Sequence, residues 1–285
     1  MNIKKLLYNT KFIRLLYFKF FRSFRNQRDV NLYLLRKFNF NFSIDVGANK
    51  GLYSIELEKI SKKVFIFEPI KILYDDLCKI LSKKTQKFNY ALGSASCNKR
   101  IKIPILRNSL SYGRASISQT FNNYIWENIK VRSLNYLIKK KKINFKNKKV
   151  DFIKIDVEGY EYQVIKGAVN FLKKYKPIIL IELESRTSNN LQIKKIFSLL
   201  EKLNYKSFYT QDGINFKANS FSDIKYLQSN NFYKKDILKE RRLKKGQRRY
   251  YICNFWFFPK KMKPLWKDVF YKNDISTLRL CLSIS

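Results

Sequence analysis

The segment from residue 44 to residue 51, Ile-Asp-Val-Gly-Ala-Asn-Lys-Gly, combines residue types that fit a nucleotide-like ligand. The sequence predicts a strand over Phe42–Val46, followed by a glycine turn and a helix. Gly47 and Gly51 let the backbone approach a ligand and open the helix without a side chain in the way. A dinucleotide-binding turn would have glycine in place of Asp45, because that turn must admit a pyrophosphate. The Asp45 carboxylate would repel such an anion and would attract a ligand that carries an amino group and a sulfonium charge.

Glu68 supports the same kind of ligand. It closes the next predicted strand, Val64–Glu68, and lies 17 residues beyond Gly51. A carboxylate at the end of the second strand can accept hydrogen bonds from both hydroxyls of a ribose. Together with Asp45, it predicts a site for S-adenosylmethionine rather than for a dinucleotide. The candidate cofactor-binding residues from these two features are Asp45, Gly47, Ala48, Asn49, Gly51 and Glu68.

Acidic residues also follow two later predicted strands, Val150–Asp156 and Ile178–Leu183. Ligands bind beyond the carboxyl ends of the strands in open α/β sheets, and six of only 21 acids lie at such ends. The chain has no histidine, so a general base must be a carboxylate, a lysine, a tyrosine or a metal-bound hydroxide. The candidate catalytic residues are Asp156 and Glu158, with Glu182 in reserve.

Two other interpretations of these acids stay open. Asp156, Glu158 and Glu161 could stabilise the first turn of the following helix through its dipole. Asp156 and Glu158 could also hold Mg²⁺ against the hydroxyls of an acceptor, although we assign no metal ligand.

The charge of the chain is strongly unbalanced: 60 Lys and Arg face 21 Asp and Glu, for a formal net charge of +39. Such a surface attracts nucleic acid, anionic lipid or anionic glycan; AT-rich codon usage is the alternative explanation. The chain has four cysteines, none of them in a C-x-x-C pair, and no histidine. It therefore has neither the pattern of a zinc site nor that of a disulfide framework. No apolar run approaches the roughly 18 residues of a membrane span. We therefore expect a cytoplasmic protein.

The N-terminal arm, residues 1–28, resembles a helix that lies on an anionic membrane surface. Its basic and its apolar residues fall on opposite sides of a helical wheel: Lys4, Lys11, Arg14, Arg22 and Arg25 against Leu6, Phe12, Ile13, Leu16, Phe20 and Phe24. An ordinary amphipathic helix packed on the domain is the alternative. The arm predicts a peripheral contact with the inner face of an anionic membrane.

Short apolar runs alternate with helical segments from about residue 40 onwards. The predicted strands are 42–46, 64–68, 88–92, 150–156 and 178–183, with later ones at 205–209 and 250–257, and the helices are 52–61, 71–82, 160–175 and 191–203. This order predicts an α/β fold with a doubly wound, mostly parallel Rossmann-like sheet of the class I methyltransferase type. The division we predict is an arm over 1–38, a domain over 39–260 and an extension over 261–285. Within the domain, an insertion at 93–149 holds one extra strand at 101–106 and a polar loop at 112–118.

At these residues the chain resembles the FkbM family of methyltransferases. The similar pieces are I-D-V-G-A-N-K-G at 44–51, F-E-P at 67–69, A-L-G at 91–93, V-R-S-L-N-Y-L at 131–137, F-I-K-I-D-V-E-G at 152–159, K-G-A at 166–168, P-I-I-L-I-E-L at 177–183 and N-F-W-F-F-P at 254–259. The resemblance adds Ala91 to the cofactor-binding residues. It implies methyl transfer from S-adenosylmethionine to oxygen, typically a hydroxyl of a sugar, a glycan or a secondary metabolite. The chain departs from the family at Asn135, where an acid is usual; that acid could cap a helix, and asparagine can cap as well.

Two rival functions remain. An RNA 2′-O-methyltransferase would account for the charge, but the chain has Asp156-Val157-Glu158-Gly159 where amine-directed nucleic-acid enzymes often have a Pro-Pro-aromatic motif. No cysteine stands there for attack on a pyrimidine carbon, so a nucleic-acid partner is not expected. The second rival is a basic membrane- or RNA-binding module that keeps the fold without the chemistry. We expect a small-molecule or glycan acceptor, which could be lipid-linked.

Overall fold

The structure, a computed structural model, describes residues 31–32, 34–145, 148–211, 214–217 and 252–262. Its strands are β1 (Phe40–Val46), β2 (Ser61–Phe67), β3 (Thr85–Phe88), β4 (Ala91–Leu92), β5 (Cys97–Leu106), β6 (Ser109–Leu110), β7 (Tyr124–Arg132), β8 (Val150–Ile155), β9 (Ile178–Glu182), β10 (Tyr205–Gln211), β11 (Ile214–Lys217) and β12 (Asn254–Pro259). Its helices are α1 (Leu52–Ile60), α2 (Lys71–Ile80), α3 (Leu134–Lys139), α4 (Glu161–Gly167), α5 (Val169–Tyr175) and α6 (Asn190–Lys202), with a 3-10 turn at Tyr112–Arg114.

The main sheet has eight strands in the order β11-β10-β12-β9-β8-β1-β2-β3. The five strands from β9 to β3 are parallel, whereas β12 runs antiparallel to both of its neighbours. The chain leaves β1 towards β2 on one side and returns to β8 on the other, so the order of the strands reverses at β1. Ligands bind at such a reversal in open α/β sheets. The predicted doubly wound fold is confirmed.

Side chains of the central strands alternate between two apolar cores. Phe65 and Phe67 of β2 join the core that includes α3 to α6, whereas Val64 and Ile66 join the core that includes α1 and α2. Strands buried on both faces read as continuous apolar runs because helices cover both sides of a parallel sheet. This explains why β1, β2, β8 and β9 were recognisable in the sequence.

The predicted strand over 88–92 is in fact two strands. β3 stays in the main sheet, and after a break at 89–90 β4 pairs in parallel with the end of β7, Ala91 beside Val131 and Leu92 beside Arg132. β4 thereby begins a second sheet of four strands, in the order β4-β7-β5-β6. The sequence predicted one extra strand at 101–106, whereas the structure has an antiparallel pair of strands, β5 and β7. The segment 112–118 belongs to the connection between them.

The second sheet is joined tightly to the domain at its base. A Cβ atom added to Gly167 in α4 would lie 1.8 Å from the carbonyl oxygen of Gly93, the residue after β4. Only glycine permits this contact between two backbones. The base of the insertion and α4 are therefore packed directly on each other.

The predicted helix over 160–175 is interrupted at Ala168, where α4 ends and α5 begins. Ser133 caps α3, since its side chain accepts a hydrogen bond from the Tyr136 N–H. The Asn135 Oδ1 instead accepts from the Phe171 N–H at 3.1 Å, in the first turn of α5. Asn135 thus satisfies a donor of a neighbouring helix and does not cap its own.

Two sequence-based predictions lie outside the described residues: the amphipathic helix of the arm over 1–28 and the extension beyond residue 262. The last strand is displaced from the predicted 250–257 to Asn254–Pro259. Within the described ranges, no helix has both the length and the apolarity needed to cross a membrane.

Candidate active site

The turn between β1 and α1 is fixed against the end of β2. The N–H groups of Gly47 and Ala48 both donate to the Phe67 carbonyl, at 3.0 and 3.1 Å. Gly47 has φ +80, and a Cβ there would lie 1.9 Å from the Asp156 carbonyl oxygen. Gly51 has φ +81 and opens α1. Glycine is thus required at position 47 by both conformation and contact, and this turn brings the ends of β1, β2 and β8 together.

Glu68 lies directly beside that turn and is 3% exposed. Its Oε2 accepts from the Asn49 N–H at 2.8 Å, and its Oε1 accepts from the Ile70 N–H at 2.9 Å. Burial raises its pKa to about 7, the two backbone donors lower it, and the charges of Asp45 and Glu127 raise it. Each oxygen of an ionised carboxylate has two acceptor positions, so Glu68 keeps capacity for two further donors.

A pocket opens at the carboxyl ends of β1, β2 and β8, with about 550 Å³ of empty volume including its open mouth. Of the predicted cofactor residues, Gly47, Asn49, Glu68 and Ala91 line it. Two of the predicted catalytic residues, Asp156 and Glu158, also line it. Its remaining lining is mainly apolar or aromatic: Val46, Phe67, Pro69, Ile70, Leu73, Tyr90, Leu92, Ile101, Tyr112, Ala115, Ile117, Val157 and Tyr160.

Asp45 lies behind the turn and is not among the residues that line the pocket. Its side chain accepts a hydrogen bond from the Ser54 hydroxyl at 2.5 Å. Burial raises its pKa to about 6, while the Ser54 hydrogen bond and the charge of Lys154 lower it. Its place differs from the direct ligand contact expected from the sequence. Asp45 therefore supports the turn from the side that faces away from the pocket.

Lys154 in β8 is a buried cation between these carboxylates, with its side chain 1% exposed. Its Nζ lies 3.2 Å from Asp156 Oδ2 and donates to the Ile155 carbonyl at 3.3 Å. It also lies 4.9 Å from the centroid of the Tyr53 ring. Charged side chains are almost never fully buried unless they are paired. Lys154 therefore balances the charges of Asp45 and Asp156 at the base of the site.

Glu158 is the most strongly perturbed carboxyl that lines the pocket. Its pKa is raised to about 8, first by burial and then by the charges of Asp156, Glu182, Glu184 and Glu161. A group with a pKa near the working pH is the most effective kind of general base. The acids at the ends of β8 and β9 thus form one electrostatic cluster, as the sequence predicted.

The backbone around Glu158 is held by the insertion. The Ser116 hydroxyl and the Gln119 amide donate to the Glu158 carbonyl at 2.6 and 3.1 Å. Glu158 itself has φ +52, a conformation that costs a non-glycine residue free energy and is common at functional sites. The second sheet therefore fixes the backbone from which the Glu158 side chain extends.

The helix-dipole interpretation fits Glu161, which lies in the first turn of α4. The Glu161 Oε1 accepts from the Gly159 N–H at 2.9 Å, and its Oε2 accepts from the Ser188 hydroxyl at 2.7 Å. Glu161 is 3% exposed and does not line the pocket. Its role is structural, because it satisfies backbone donors at the start of α4.

Glu182, predicted as a reserve catalytic residue, lies beside the pocket and is not among its lining residues. One ligand atom from each of Glu182, Glu184 and Cys253 lies within 4.8 Å of the other two. Two carboxylates and a thiol can coordinate a divalent cation. Among the described residues this is the group that could hold one; it differs from the pair Asp156 and Glu158 considered for Mg²⁺.

Comparison with known proteins decides the family. The sequence profile of the "Methyltransferase FkbM domain" matches residues 45–207, more than half of the chain. The chain belongs to the FkbM methyltransferase family. The family indicates S-adenosylmethionine as the cofactor.

The solved structures that resemble this chain match it at low sequence identity and with TM-scores below 0.5. Methyltransferase FkbM from Methylobacillus flagellatus KT is 15% identical with a TM-score of 0.44, and the match covers 76% of this chain and 43% of that chain. This chain therefore spans less than half the length of that protein. A precorrin-6y C5,15-methyltransferase from Geobacter metallireducens GS-15 is 10% identical with a TM-score of 0.40, covering 84% of this chain and 90% of that one. A putative methyltransferase from Streptococcus mutans in complex with SAH is 9% identical with a TM-score of 0.39, covering 66% and 90% respectively. A search among curated proteins gives no match.

The residues of the methyltransferase fit its cofactor. Glu68 is placed to accept from two ribose hydroxyls, and Ile70 and Leu73 supply apolar surface next to it. The absence of a side chain at Gly47 lets the Asp156 backbone approach the turn, and Asp156 and Glu158 give the pocket the negative charge that suits a sulfonium.

Sequence reasoning missed the wall of the pocket formed by the second sheet. Ile101 of β5, Tyr112, Ala115 and Ile117 come from the insertion, and Tyr160 follows the acidic loop. Their spacing along the chain carries no periodic signal, because they belong to a loop and to one face of a short hairpin. The Asp-Val-Glu-Gly-Tyr order at 156–160 was the one local sign that Tyr160 borders the site.

Proposed function

We propose that the methyltransferase transfers the methyl group of S-adenosylmethionine to a hydroxyl oxygen of a sugar, a glycan or a secondary metabolite. The observation that carries this proposal is the raised pKa of Glu158, about 8, in the wall of the pocket. A hydroxyl acceptor must lose a proton, and the chain has no histidine to take it. A carboxyl with a pKa near 8 is an effective proton acceptor, whereas a carboxyl of ordinary pKa is a weak one.

The residues divide the work as follows. The cofactor, when bound, supplies an electrophilic methyl group. Glu68 and the 47–51 turn orient it, and the apolar walls exclude water from the reacting atoms. Ionised Glu158 accepts the acceptor's hydroxyl proton while the oxygen–methyl bond forms and the sulfur–methyl bond breaks. Asp156 is paired with Lys154 and places a negative charge next to Glu158. Positioning of the acceptor contributes as well, because it removes the entropy cost of bringing two molecules together.

The proposal is tested with S-adenosylmethionine that carries a labelled methyl group and with glycan, lipid and RNA fractions of a lysate. We expect label in a glycan or lipid-linked glycan fraction, in an alkali-stable ether bond. Glu158→Gln should lower turnover by roughly 10²–10⁴-fold, the usual contribution of a general base. Glu201→Gln, at an exposed position near the end of α6, is the matched control and should leave turnover unchanged.

Three outcomes would count against a hydroxyl of a sugar or metabolite. Label found in RNA would favour the 2′-O-methyltransferase. Binding of S-adenosylmethionine without labelling of any fraction would remove the support for a glycan acceptor. Absence of heat on calorimetric titration with S-adenosylmethionine would favour a binding module that keeps only the fold.

We also propose that the protein works at the inner face of an anionic membrane, where a lipid-linked acceptor would be available. The basic and apolar sides of the arm over 1–28 support this, together with the net charge of +39. Each Lys or Arg near an anionic membrane contributes about 1 kcal/mol, an effect that salt screens. Deleting residues 1–28 should weaken binding to anionic vesicles. Equal binding of the truncated and the full-length protein would instead assign the arm to packing on the domain.

A further inference from the structure

The tip of the second sheet exposes a group of large apolar side chains. In the described part of the chain, seven large hydrophobic residues are exposed: Ile72, Leu106, Leu110, Ile125, Trp126, Tyr136 and Leu191. Four of them belong to β5, β6 and β7: Leu106 at 42%, Leu110 at 38%, Ile125 at 41% and Trp126 at 48% exposure. Single exposed apolar residues are ordinary, but a cluster of this kind marks an interaction site.

The pairing of β5 with β7 places basic and aromatic residues on one face of this tip. Lys102 is opposite Trp126, and Arg100 and then Lys130 follow on the same face towards the base of the hairpin. Lys102 Nζ lies 5.5 Å from the Trp126 ring centroid, and the Arg100 guanidinium lies 5.9 Å from it. The other face of the same sheet is buried at Ile101 and Ile103, and Ile101 contributes to the wall of the pocket. Towards the tip that face also carries the exposed Ile125 and Leu110. The sheet thus has one side towards the site and one side outwards.

The outward face carries charge of one sign. Its strand positions on β5 and β7 are occupied by Asn98, Arg100, Lys102, Pro104, Leu106, Tyr124, Trp126, Asn128 and Lys130. None of these is acidic, although β7 does carry an acid, Glu127, on the opposite side of the strand, where it accepts from the Lys71 N–H. A surface that combines bases with exposed apolar side chains complements an anionic and partly apolar partner.

We propose that this apolar tip, formed by Leu106, Leu110, Ile125 and Trp126, docks on an anionic lipid membrane together with the bases that follow it on the outward face, Lys102, Arg100 and Lys130. Trp126 and Tyr124 are the side chains favoured at the boundary between lipid and water, and the bases attract anionic head groups. Leu106 lies on the outward face of the tip, and Leu110 and Ile125 lie on the other face, opposite Ile105 and Ile103. The tip therefore enters the apolar edge of the bilayer end-on, with apolar side chains on both of its faces. These three aliphatic residues decide the class of partner, because an anionic glycan or RNA offers no comparable apolar phase for them. This contact is separate from the one proposed for the arm and does not depend on which acceptor is methylated.

The geometry has a consequence for the site. The sheet that docks by its tip also forms a wall of the pocket with the inward face nearer its base, and Lys102 connects the two. Its Nζ donates to the Gln119 carbonyl at 2.9 Å, and the Gln119 amide donates to the Glu158 carbonyl at 3.1 Å. Docking therefore sets the orientation of the pocket relative to the membrane surface.

The test uses the full-length protein and vesicles of phosphatidylcholine with or without phosphatidylserine. One variant combines Leu106→Ser with Trp126→Ser, and a second combines Arg100→Gln with Lys130→Gln. The matched controls are Leu191→Ser and Lys194→Gln, which change an exposed apolar and an exposed basic side chain on α6. Thermal unfolding of each protein verifies that it is folded.

We expect the charge variant to partition onto phosphatidylserine vesicles about fivefold less for each base removed. The apolar variant should partition at least about tenfold less, and the controls should match the native protein. Lipids brominated on their acyl chains should quench tryptophan emission of the native protein, and quenching should fall in Trp126→Leu, which still binds.

The proposal is overturned if both tip variants partition like the controls, or if the quenching is the same with and without Trp126. It is also overturned if the variants keep their vesicle binding and instead lose affinity for a polyuridine oligonucleotide or for heparin. In that case the tip would recognise a nucleic acid or a sulfated glycan.

Discussion

Replacing Lys154 by methionine measures how much the buried cation contributes to the base of the site. Methionine has a similar length and no charge, so the change leaves little cavity and removes the partner of Asp156 and the nearest cation to Asp45. Removing one partner of a buried ion pair costs about 3–5 kcal/mol. Asp156 is 31% exposed, so water replaces part of the lost interaction. We therefore expect a loss of about 3 kcal/mol in the free energy of unfolding.

The loss should depend on pH in a defined direction. Burial raises the pKa of Asp45 to about 6 even with Lys154 in place, and the charge of Lys154 lowers it. Without the lysine this pKa must rise, so the variant keeps Asp45 protonated at the pH where the native protein has it ionised. At pH 5 Asp45 is largely protonated in both proteins, so their free energies of unfolding differ little on its account. At pH 8 the variant either holds an uncompensated buried charge or takes up a proton, so the difference between the two free energies of unfolding is largest.

Denaturant unfolding at pH 5 and pH 8 is the assay, because a shift of the midpoint at constant slope reports stability alone. The matched control is Lys149→Met, which precedes the same strand. Its Nζ lies 3.6 Å from Asp151 Oδ1, and its side chain is 60% exposed. An exposed pair of this kind is worth about 0–1 kcal/mol. Equal losses for both variants, or a loss for Lys154→Met that is the same at both pH values, would refute the role assigned to Lys154.

Four further predictions concern the site. Glu68→Ala should weaken S-adenosylmethionine binding by roughly 1–3 kcal/mol in a calorimetric titration; native affinity in a folded variant would remove Glu68 from the site. Gly47→Ala should abolish that binding, because its Cβ would lie 1.9 Å from the Asp156 carbonyl oxygen, and binding within a factor of two of native would contradict this contact. Asp156→Asn should lower turnover with little effect on cofactor affinity, whereas unchanged turnover would place the base elsewhere. Because the pKa values of Asp45, Glu68 and Glu158 are raised to about 6, 7 and 8, their protons stabilise the folded protein fully at acid pH. That part of the stability is lost as pH rises through these values, so the denaturation midpoint should fall from pH 5 to pH 8, and a rising midpoint would be incompatible with these shifts.

The cofactor half of the site could be predicted from the sequence because it is built from local features. The 47–51 turn and Glu68 each follow directly from a strand, and parallel strands bring their carboxyl ends to one edge. Asp45 was predicted at that edge correctly, but whether a side chain at a strand end points into a pocket or behind a turn depends on the pleat. Alternation along β1 directs Asp45 away from the pocket and towards Ser54.

The other half depends on contacts between distant parts of the chain. Lys154 stands within an apolar strand, and a single lysine there does not reveal that Asp45 and Asp156 surround it. The β5–β7 hairpin was missed because β5 begins with Cys-Asn-Lys-Arg, which reads as a loop, and becomes a strand through pairing with β7. Tertiary pairing of this kind overrides local preference in strands.

The way the second sheet is attached has a consequence for the history and the engineering of this protein. The insertion leaves the domain at Leu92 and returns at Arg132, and these two residues are paired side by side. A segment whose two ends adjoin can be lengthened, shortened or exchanged without stretching the rest of the chain. The fixed points are at the base, where Gly93 meets Gly167. The whole insertion can therefore be exchanged between related proteins as a unit, provided that these two glycines stay in place.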